Sequence, residues 1–291
     1  MAGTASSGRR TARWVPYAMI APTLIFLMIF FVIPIFTLFK TSLSTNTGSV
    51  YLPVQKFGWE WGNYSSAFTQ YRAEIGRSFG YATVATVIMI VLAYPLAYVL
   101  AFKAGRWKNL MLGLVILPFF ITFLVRTIAW KTILADDGFI VEALGTVGLL
   151  PPEGRILSTS WAVVGGLVYN FLPFMVRPIY VSLEKIDPRL VEASRDLYSS
   201  AGRGFTKVIL PLSMPGVLAG SLLCFIPASG DFINADYLGS TKTTMMGTVI
   251  QKQFLVVKDY PTAAAMSFVL MAIVLALVLV YTRALGTEDL V

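Results

Sequence analysis

Six long apolar stretches constrain this chain more than any other feature of its sequence. Crossing the ~30 Å hydrocarbon core of a bilayer takes about 20 residues of α-helix, because each backbone N–H and C=O must find its partner within the segment. With 56% hydrophobic and 13% charged residues and a mean hydropathy of +0.72, the chain is too apolar for one soluble core. The sequence therefore predicts an all-α integral membrane fold. The six predicted transmembrane helices are residues 14–39, 80–102, 109–134, 160–183, 212–229 and 262–285.

The distribution of lysine and arginine predicts how these helices are oriented. With the N-terminus in the cytoplasm, the inner loops carry twelve basic residues, whereas the longer outer loops carry eight beside nine acidic ones. Because cytoplasmic loops are enriched in Lys and Arg, we expect both tails, residues 1–13 and 286–291, in the cytoplasm and one six-helix domain over residues 14–285. The first stretch is longer than a signal-peptide core, and no small-residue cleavage site follows Phe39, so we interpret it as a retained helix. The formal charge of +8 thus reflects the basic residues that orient the helices in the membrane. It does not indicate a nucleic acid partner, and none is expected.

Missing residue types exclude several classes of chemistry. The chain has no histidine, which excludes HExxH metalloprotease sites and Ser-His-Asp triads. A single cysteine, Cys224, makes a transition-metal site improbable. No Gly-Lys-Ser or Gly-Lys-Thr occurs, so the chain lacks a phosphate-binding loop for ATP. We therefore expect no catalytic residues, no metal and no cofactor in this chain, and any ATP must be used by another subunit.

The predicted cytoplasmic loop over residues 184–210 has the composition of a short helix. Asp187 followed by Pro188 is a helix-start signal, with Asp as the cap and Pro suited to the first turn. Apolar and charged residues then alternate at helical spacing until Gly202 and Gly204, where we expect a turn. Taken alone, this pattern fits an amphipathic helix lying against lipid headgroups.

The spacing of the same loop points to a second interpretation. Glu192-Ala193-Ser194, followed by Val208, Leu210 and Pro211, resembles the cytoplasmic loop of permeases in binding-protein-dependent ABC importers. That pattern is Glu-Ala-Ala, three residues, Gly, nine residues, Ile, one residue and Leu-Pro, and it fits here without a gap. Ser194 stands in place of the third small residue, and Tyr198 in place of the usual Gly.

The resemblance implies a MetI-like permease whose loop is a coupling helix that docks into a groove on an ATPase subunit. Small residues would allow close approach and charges would fix the register, while Pro211, Pro215 and Gly216 would provide a hinge. The residues implied in ATPase coupling are Glu192, Ala193, Ser194, Arg195, Asp196, Leu197, Gly202, Leu210 and Pro211.

The last third of the chain narrows the resemblance to the spermidine/putrescine permeases of the PotB and PotH type. The similar segments are residues 230–232, 236–239, 249–255, 258–261 and 263–267. This implies half of a translocation path for polyamines, in the bacterial inner membrane and surrounded by its lipid. The implied partners are a second permease similar to PotC or PotI, two copies of an ATPase similar to PotA that bind ATP and Mg, and an extracytoplasmic polyamine-binding protein similar to PotD. Relatives that import ferric iron, sulfate or thiamine share much of this layout.

Two other classes remain open at this point. A secondary transporter would need carboxylates inside the spans as a proton or sodium relay, and none of the fifteen acids lies firmly within one. A non-transporting membrane scaffold would work without an ATPase.

Aromatic and polar residues of the third and fourth helices, together with two acids just beyond the fifth, are candidates for the translocation path. A charge within hydrocarbon costs about 2.5–3.5 kcal/mol on insertion scales, so Arg126 needs a buried partner or a cavity. Asp231 and Asp236 suit a cation, but they are equally compatible with solvated loop acids or with sites that hold the binding protein. The candidate path residues are Arg126, Trp130, Tyr169, Asn170, Phe174, Asp231 and Asp236.

Overall fold

The fold is taken from a computed structural model that describes residues 15–48, 54–148, 154–187, 189–190, 192 and 200–285. The two predicted tails, residues 1–13 and 286–291, lie outside these ranges, and so does most of the predicted coupling helix.

The first apolar stretch forms one long helix with a single irregular turn. It consists of α1 (Val15–Leu27), a π-helical turn (Met28–Val32) and α2 (Ile33–Ser42). The turn ends just before Pro34, which has no N–H for the regular hydrogen bond to Phe30. The helix is mostly exposed within the single chain and packs through α2, where the Phe39 ring lies 5.7 Å from that of Phe268.

A small hairpin and a short helix lead into the second span. β1 (Ser44–Asn46) pairs antiparallel with β2 (Gln55–Phe57), with Thr45 opposite Lys56. The short helix α3 (Gly62–Gln70) is followed by α4 (Arg72–Phe102), which begins earlier than the predicted 80–102.

The third span is broken, whereas the sequence analysis predicted one helix over 109–134. It consists of a 3-10 turn (Gly105–Trp107), α5 (Lys108–Ile116), a second 3-10 turn (Leu117–Phe120) and α6 (Phe123–Ile133). The two halves meet at an angle of 92°. The break begins at Pro118, the second residue of the 3-10 turn over Leu117–Phe120, and Ile121 and Thr122 then adopt extended backbone.

The fourth and fifth spans follow a second short helix, α7 (Phe139–Thr146). The fourth, α8 (Ser160–Glu184), agrees with the predicted 160–183. The fifth starts well before the predicted residue 212, as α9 (Ala201–Gly204), a π-helical turn (Phe205–Ile209) and α10 (Leu210–Ser229).

The turn predicted at Gly202 and Gly204 is wrong, because both glycines are helical. Gly204 has φ −60° and ψ −42°. The Thr206 hydroxyl donates to the Gly202 carbonyl at 3.0 Å, and packing of the Phe205 ring offsets the helix-forming penalty of about 1 kcal/mol for each glycine. The irregularity of this segment lies instead in the π turn just ahead of Pro211, as in the first span.

The last part of the chain adds two short helices and the sixth span. These are α11 (Ile233–Leu238), α12 (Met246–Lys252), a π-helical turn (Gln253–Val257) and α13 (Tyr260–Leu285). The described residues thus contain five helices long and apolar enough to cross a membrane, or six spans if the bent pair counts as one.

The core of the bundle is formed by α4, α8 and α10. Small residues let these helices approach closely, as is usual within membranes. Ala85, Ala93 and Ala97 of α4 have no exposed surface. At Gly216 a side-chain carbon would lie 2.5 Å from the carbonyl oxygen of Pro178, so only glycine fits where α10 meets α8.

Candidate functional site

A fully buried polar cluster joins α6, α8 and α11. The Asn170 side-chain N–H group donates to Asn234 Oδ1 at 3.0 Å and to Thr127 Oγ1 at 3.2 Å. None of the three side chains is exposed to solvent. We call Thr127, Asn170 and Asn234 the amide cluster. Asn170 Oδ1 and Asn234 Nδ2 have no hydrogen-bond partner among the described residues, so the cluster retains one free acceptor and one free donor.

The amide cluster exists because α11 lies close against α8. Gly166, one turn before Asn170, makes this approach possible. A side-chain carbon on Gly166 would lie 2.4 Å from Leu238 Cδ1 and 2.6 Å from Asn234 Oδ1. Leu238 is fully buried and has little room to move aside.

Asp231 holds the start of α11 in position. Its Oδ1 accepts the backbone N–H of Asn234 at 2.7 Å. The residue is 8% exposed, and this burial raises the pKa of Asp231 from 3.8 to about 6. The carboxyl group is therefore linked to the amide cluster through Asn234, and it changes charge not far below neutral pH.

Arg126 is buried beside two aromatic rings. Its guanidinium carbon lies 5.5 Å from the centre of the Phe119 ring and 5.6 Å from that of Phe123. The residue is 6% exposed, and its Nε and Nη1 have no hydrogen-bond partner within the described part of the chain. The sequence predicted a buried partner or a cavity for Arg126. Among the described residues, the partners found are the faces of the Phe119 and Phe123 rings.

The other aromatic candidates line the same region of α6 and α8. The Trp130 and Tyr169 rings are 5.3 Å apart in an edge-to-face arrangement. Phe174 is 43% exposed, and its ring lies 4.8 Å from that of Phe119. These residues thus form two aromatic pairs, of which the pair of Phe119 and Phe174 is the more exposed, whereas Arg126 and Asn170 are buried.

Asp236 lies apart from the amide cluster. Its Oδ1 is 3.5 Å from the Lys252 ammonium nitrogen, and both side chains are well exposed. Of the two acids predicted for the path, only Asp231 is therefore connected to the polar cluster. Sequence reasoning missed Thr127 and Asn234, although Asn234 is an uncharged polar residue only three positions from Asp231.

The predicted coupling residues are described only in part. Ala193, Ser194, Arg195, Asp196 and Leu197 lie outside the described residues.

The helix start at Asp187 is confirmed. The Asp187 carboxylate accepts the Arg189 N–H at 2.9 Å, and Leu190 and Glu192 are helical, with Glu192 exposed.

On the return arm of the loop, Gly202 is helical, Leu210 is half-buried and Pro211 is exposed. The start of the loop is tied to the bundle by an ion pair between Glu184 and Lys108, whose ammonium lies 5.3 Å from the Tyr180 ring centre.

Comparison with protein families decides what this bundle is. Residues 90–286, more than half of the chain, match the family described as binding-protein-dependent transport system inner membrane component. The chain belongs to this family. The permease is thus a multi-pass inner membrane protein and the non-catalytic membrane component of an ABC importer. Such a system also includes an ATPase and a binding protein.

Individual relatives agree with this assignment. The permease is 40% identical over 223 residues to the spermidine/putrescine transport system permease protein PotB of Haemophilus influenzae, covering 76% of this chain and 78% of that protein. Among solved structures, it matches a chain of a bacterial alginate ABC transporter in complex with an alginate pentasaccharide-bound periplasmic protein. The TM-score is 0.70 at 19% identity, with 93% of each chain covered. It also matches a chain of the MetNI methionine ABC transporter with a TM-score of 0.50 at 18% identity, covering 73% of this chain and 91% of that one. The predicted fold, an all-α MetI-like permease, is confirmed.

Proposed function

We propose that the permease forms half of the translocation path of an ATP-driven importer for polyamines, with spermidine and putrescine as substrates. The observation that carries this proposal is the 40% identity to a spermidine/putrescine permease over 76% of the chain. A purified system of this permease and its partners, reconstituted into vesicles with the cognate binding protein, tests it. Spermidine or putrescine should compete with labelled substrate for ATP-dependent uptake. If neither competes, the polyamine assignment is wrong.

The proposed assembly contains a second permease similar to PotC or PotI, two ATPase subunits similar to PotA and a binding protein similar to PotD. ATP and Mg are held by the ATPase subunits, and no cofactor is assigned to this chain. The binding protein docks on the loops over residues 40–79 and 230–261, which connect spans on the side opposite the coupling loop.

The proposed orientation places both termini and residues 184–210 in the cytoplasm. It rests on the count of basic residues: the shorter loops on the predicted inner side hold twelve, and the longer loops on the outer side hold eight. Since the one cysteine, Cys224, is buried, single cysteines can be introduced into a Cys224→Ser background. A membrane-impermeant maleimide added outside intact cells should label Lys258→Cys and leave Lys185→Cys unlabelled. The reverse pattern would overturn the orientation.

The proposed coupling site is the helix that starts at Asp187 and includes Glu192. Its support is the exposed, helical position of Glu192 together with the matching residue spacing. Glu192→Lys should abolish co-purification of the ATPase subunits, because it reverses a charge on the docking surface. Glu142→Lys is the matched control, an exposed helical glutamate in α7 on the predicted opposite side. Retention of the ATPase by Glu192→Lys would refute this coupling site.

The proposed path includes Arg126, Trp130, Tyr169, Asn170 and Phe174, of which Phe174 is exposed, Trp130 and Tyr169 are partly exposed, and the other two are buried. Aromatic faces attract ammonium groups, and the buried carboxyl group of Asp231 adds negative charge near the amide cluster. Asp236 is proposed as a second acidic position nearer the surface, where Lys252 partly neutralises it. Trp130→Ala should raise the KM for polyamine uptake, whereas Trp161→Ala, an exposed tryptophan at the start of α8, should leave it unchanged.

A further inference from the structure

We infer that Tyr94 and Phe205 form the joint that carries movement of the coupling loop into the second span. The inference rests on the proposed docking of that loop on the ATPase. It assigns Tyr94, Phe205 and Ser213 as positioning residues for coupling, and none of the three is among the coupling residues that the loop resemblance implies.

The first contact of the joint is aromatic. Phe205 is the first residue of the π turn that follows α9, so it lies where the return arm of the coupling loop enters the bundle. Its ring meets the Tyr94 ring edge-to-face, with centroids 5.5 Å apart and planes at 87°. The Tyr98 ring, one helical turn along α4, lies 6.2 Å away on the same side. Phe205 therefore packs against two aromatic rings of α4.

The second contact is a buried hydrogen bond with a defined direction. The Ser213 hydroxyl donates to the Leu210 carbonyl oxygen at 3.0 Å, which uses its only hydrogen. The Tyr94 hydroxyl lies 2.7 Å from Ser213 Oγ and is therefore the donor. Ser213 has no exposed surface and Tyr94 is 8% exposed, so water cannot readily replace this bond. One tyrosine thus holds the fifth span at two points, through its ring and through its hydroxyl.

The helix between these two points is irregular, which makes the contacts necessary. The π turn closes with a bond from the Leu210 N–H to the Phe205 carbonyl, and Pro211 supplies no N–H to the turn before it. Without lateral contacts, a push on α9 would be absorbed by bending at this turn. With Phe205 and Ser213 both held by Tyr94, the push is delivered to α4.

A cavity beside the start of α10 and a proline in α4 determine where movement of the fifth span can act. A cavity of about 810 Å³ lies on the α8 side of the fifth span, lined in part by Ser182, Pro215 and Gly216. The cavity leaves room beside Leu212 and Pro215, whereas at Gly216 the start of α10 packs directly against α8 and at Ser213 it is attached to α4. Pro95 follows Tyr94 directly and lies inside α4, where it removes one backbone hydrogen bond. Force applied at Tyr94 thus reaches α4 at its weakest turn.

The test uses the complete importer in vesicles, with uptake and ATP hydrolysis measured on the same preparation. Tyr94→Phe keeps the ring and removes only the hydroxyl. Tyr98→Phe is the matched control, because it makes the same chemical change one turn away, at a hydroxyl that bonds to no other described residue. Ser213→Ala removes the same bond from the other side.

We expect Tyr94→Phe and Ser213→Ala to retain the ATPase subunits and their basal hydrolysis. The ratio of substrate taken up to ATP hydrolysed should fall by about 2- to 10-fold, the range that one buried hydrogen bond gives when it biases an equilibrium. Tyr98→Phe should have the wild-type ratio. An unchanged ratio in both Tyr94→Phe and Ser213→Ala would overturn the inference. So would loss of the ATPase subunits from either variant, because the tyrosine would then hold the docking surface itself together.

The outcome is distinguishable from failure of the proposed function. Glu192→Lys reports on ATPase docking by co-purification, and Tyr94→Phe reports on the uptake ratio in a complex that is still assembled. A Glu192→Lys permease that keeps its ATPase refutes the coupling site. A Tyr94→Phe importer that couples like Tyr98→Phe refutes the joint.

Discussion

Asn170 and Asn234 share a hydrogen bond of 3.0 Å across the interface between α8 and α11, and neither side chain is exposed to solvent. The short helix α11 is thereby attached to the fourth span by a polar contact in an otherwise apolar bundle. Such a contact specifies one position of α11, because any displacement leaves buried amide groups without partners.

Replacing Asn170 by leucine should therefore destabilise the permease. The Asn234 amide loses a partner, which costs about 1–3 kcal/mol for a buried group. Thermal unfolding of the purified permease in detergent measures the loss. Thr86→Val is the matched control: it also removes a buried polar group, but one bonded only to Ala82 of its own helix. Equal effects of the two substitutions would contradict a special role for the amide cluster.

Two adjacent glycines of α8 should respond oppositely to alanine. Gly166→Ala forces a methyl group onto Leu238 and the Asn234 carbonyl oxygen, and we expect a loss of about 1–3 kcal/mol from overpacking. Gly165→Ala meets no atom within 4 Å and should stabilise the helix by about 0.5–1 kcal/mol. Parallel unfolding curves of the two variants check the prediction, which fails if both shift in the same direction.

The stability of the permease should depend on pH through Asp231. Burial raises the pKa of this carboxyl group from 3.8 to about 6, so the folded state binds the proton more tightly than the unfolded state. The free energy of unfolding should therefore be highest below pH 4, fall as the pH rises to about 6, and then level off.

Asp231→Asn should remove this dependence, because the amide stays neutral and still accepts the Asn234 N–H. Relative to the wild type, the variant should gain up to about 3 kcal/mol at pH 7.5 and little at pH 4. Melting temperatures of both proteins between pH 4 and 7.5 provide the measurement. A constant difference across this range would show that burial of the charge is not the cause.

Arg126 allows structural and transport roles to be separated. Its two ring contacts contribute about 0.5–2 kcal/mol each, while its unpaired Nε and Nη1 cost about 1–3 kcal/mol each. Arg126→Met should accordingly leave the melting temperature unchanged or raise it. If Arg126 belongs to the path, uptake should fall at least tenfold with the ATPase subunits still bound. Leu124→Met, two residues away and partly exposed, serves as the control. A lower melting temperature for Arg126→Met would contradict this energy balance.

The spans were largely predictable because each depends on local composition. Residues 160–183 were predicted almost to the residue, and the structure adds a cap at Thr159, whose side chain accepts the Ala162 N–H. The break after Pro118 could not be given its angle, because a proline predicts a weak point and neighbouring helices decide how far the chain turns. The turn predicted at Gly202 and Gly204 was wrong because tertiary packing is again involved. Both glycines are helical next to Phe205, whose ring packs against α4, and α4 is distant in sequence.

The sequence allowed us to predict which polar residues belong to the candidate site, but not which residues they contact. Arg126 and Asn170 stood out as polar residues within apolar stretches. Their surroundings required tertiary structure, because Asn234 comes from a loop helix 64 positions after Asn170. Asp231 and Asp236 look equivalent in the sequence, and only the fold separates a buried acid from one that is paired with Lys252 at the surface.

The 92° bend places two residues with extended backbone, Ile121 and Thr122, inside the third span. Thr122, the residue before α6, makes no side-chain cap bond among the described residues, so it satisfies none of the first backbone N–H groups of this helix, which have no partner within the helix itself. Hydrocarbon would penalise each of them by several kcal/mol, whereas water or another polypeptide would satisfy them. We therefore expect the bend to face water or an adjoining subunit, and acyl chains to contact the other sides of the permease.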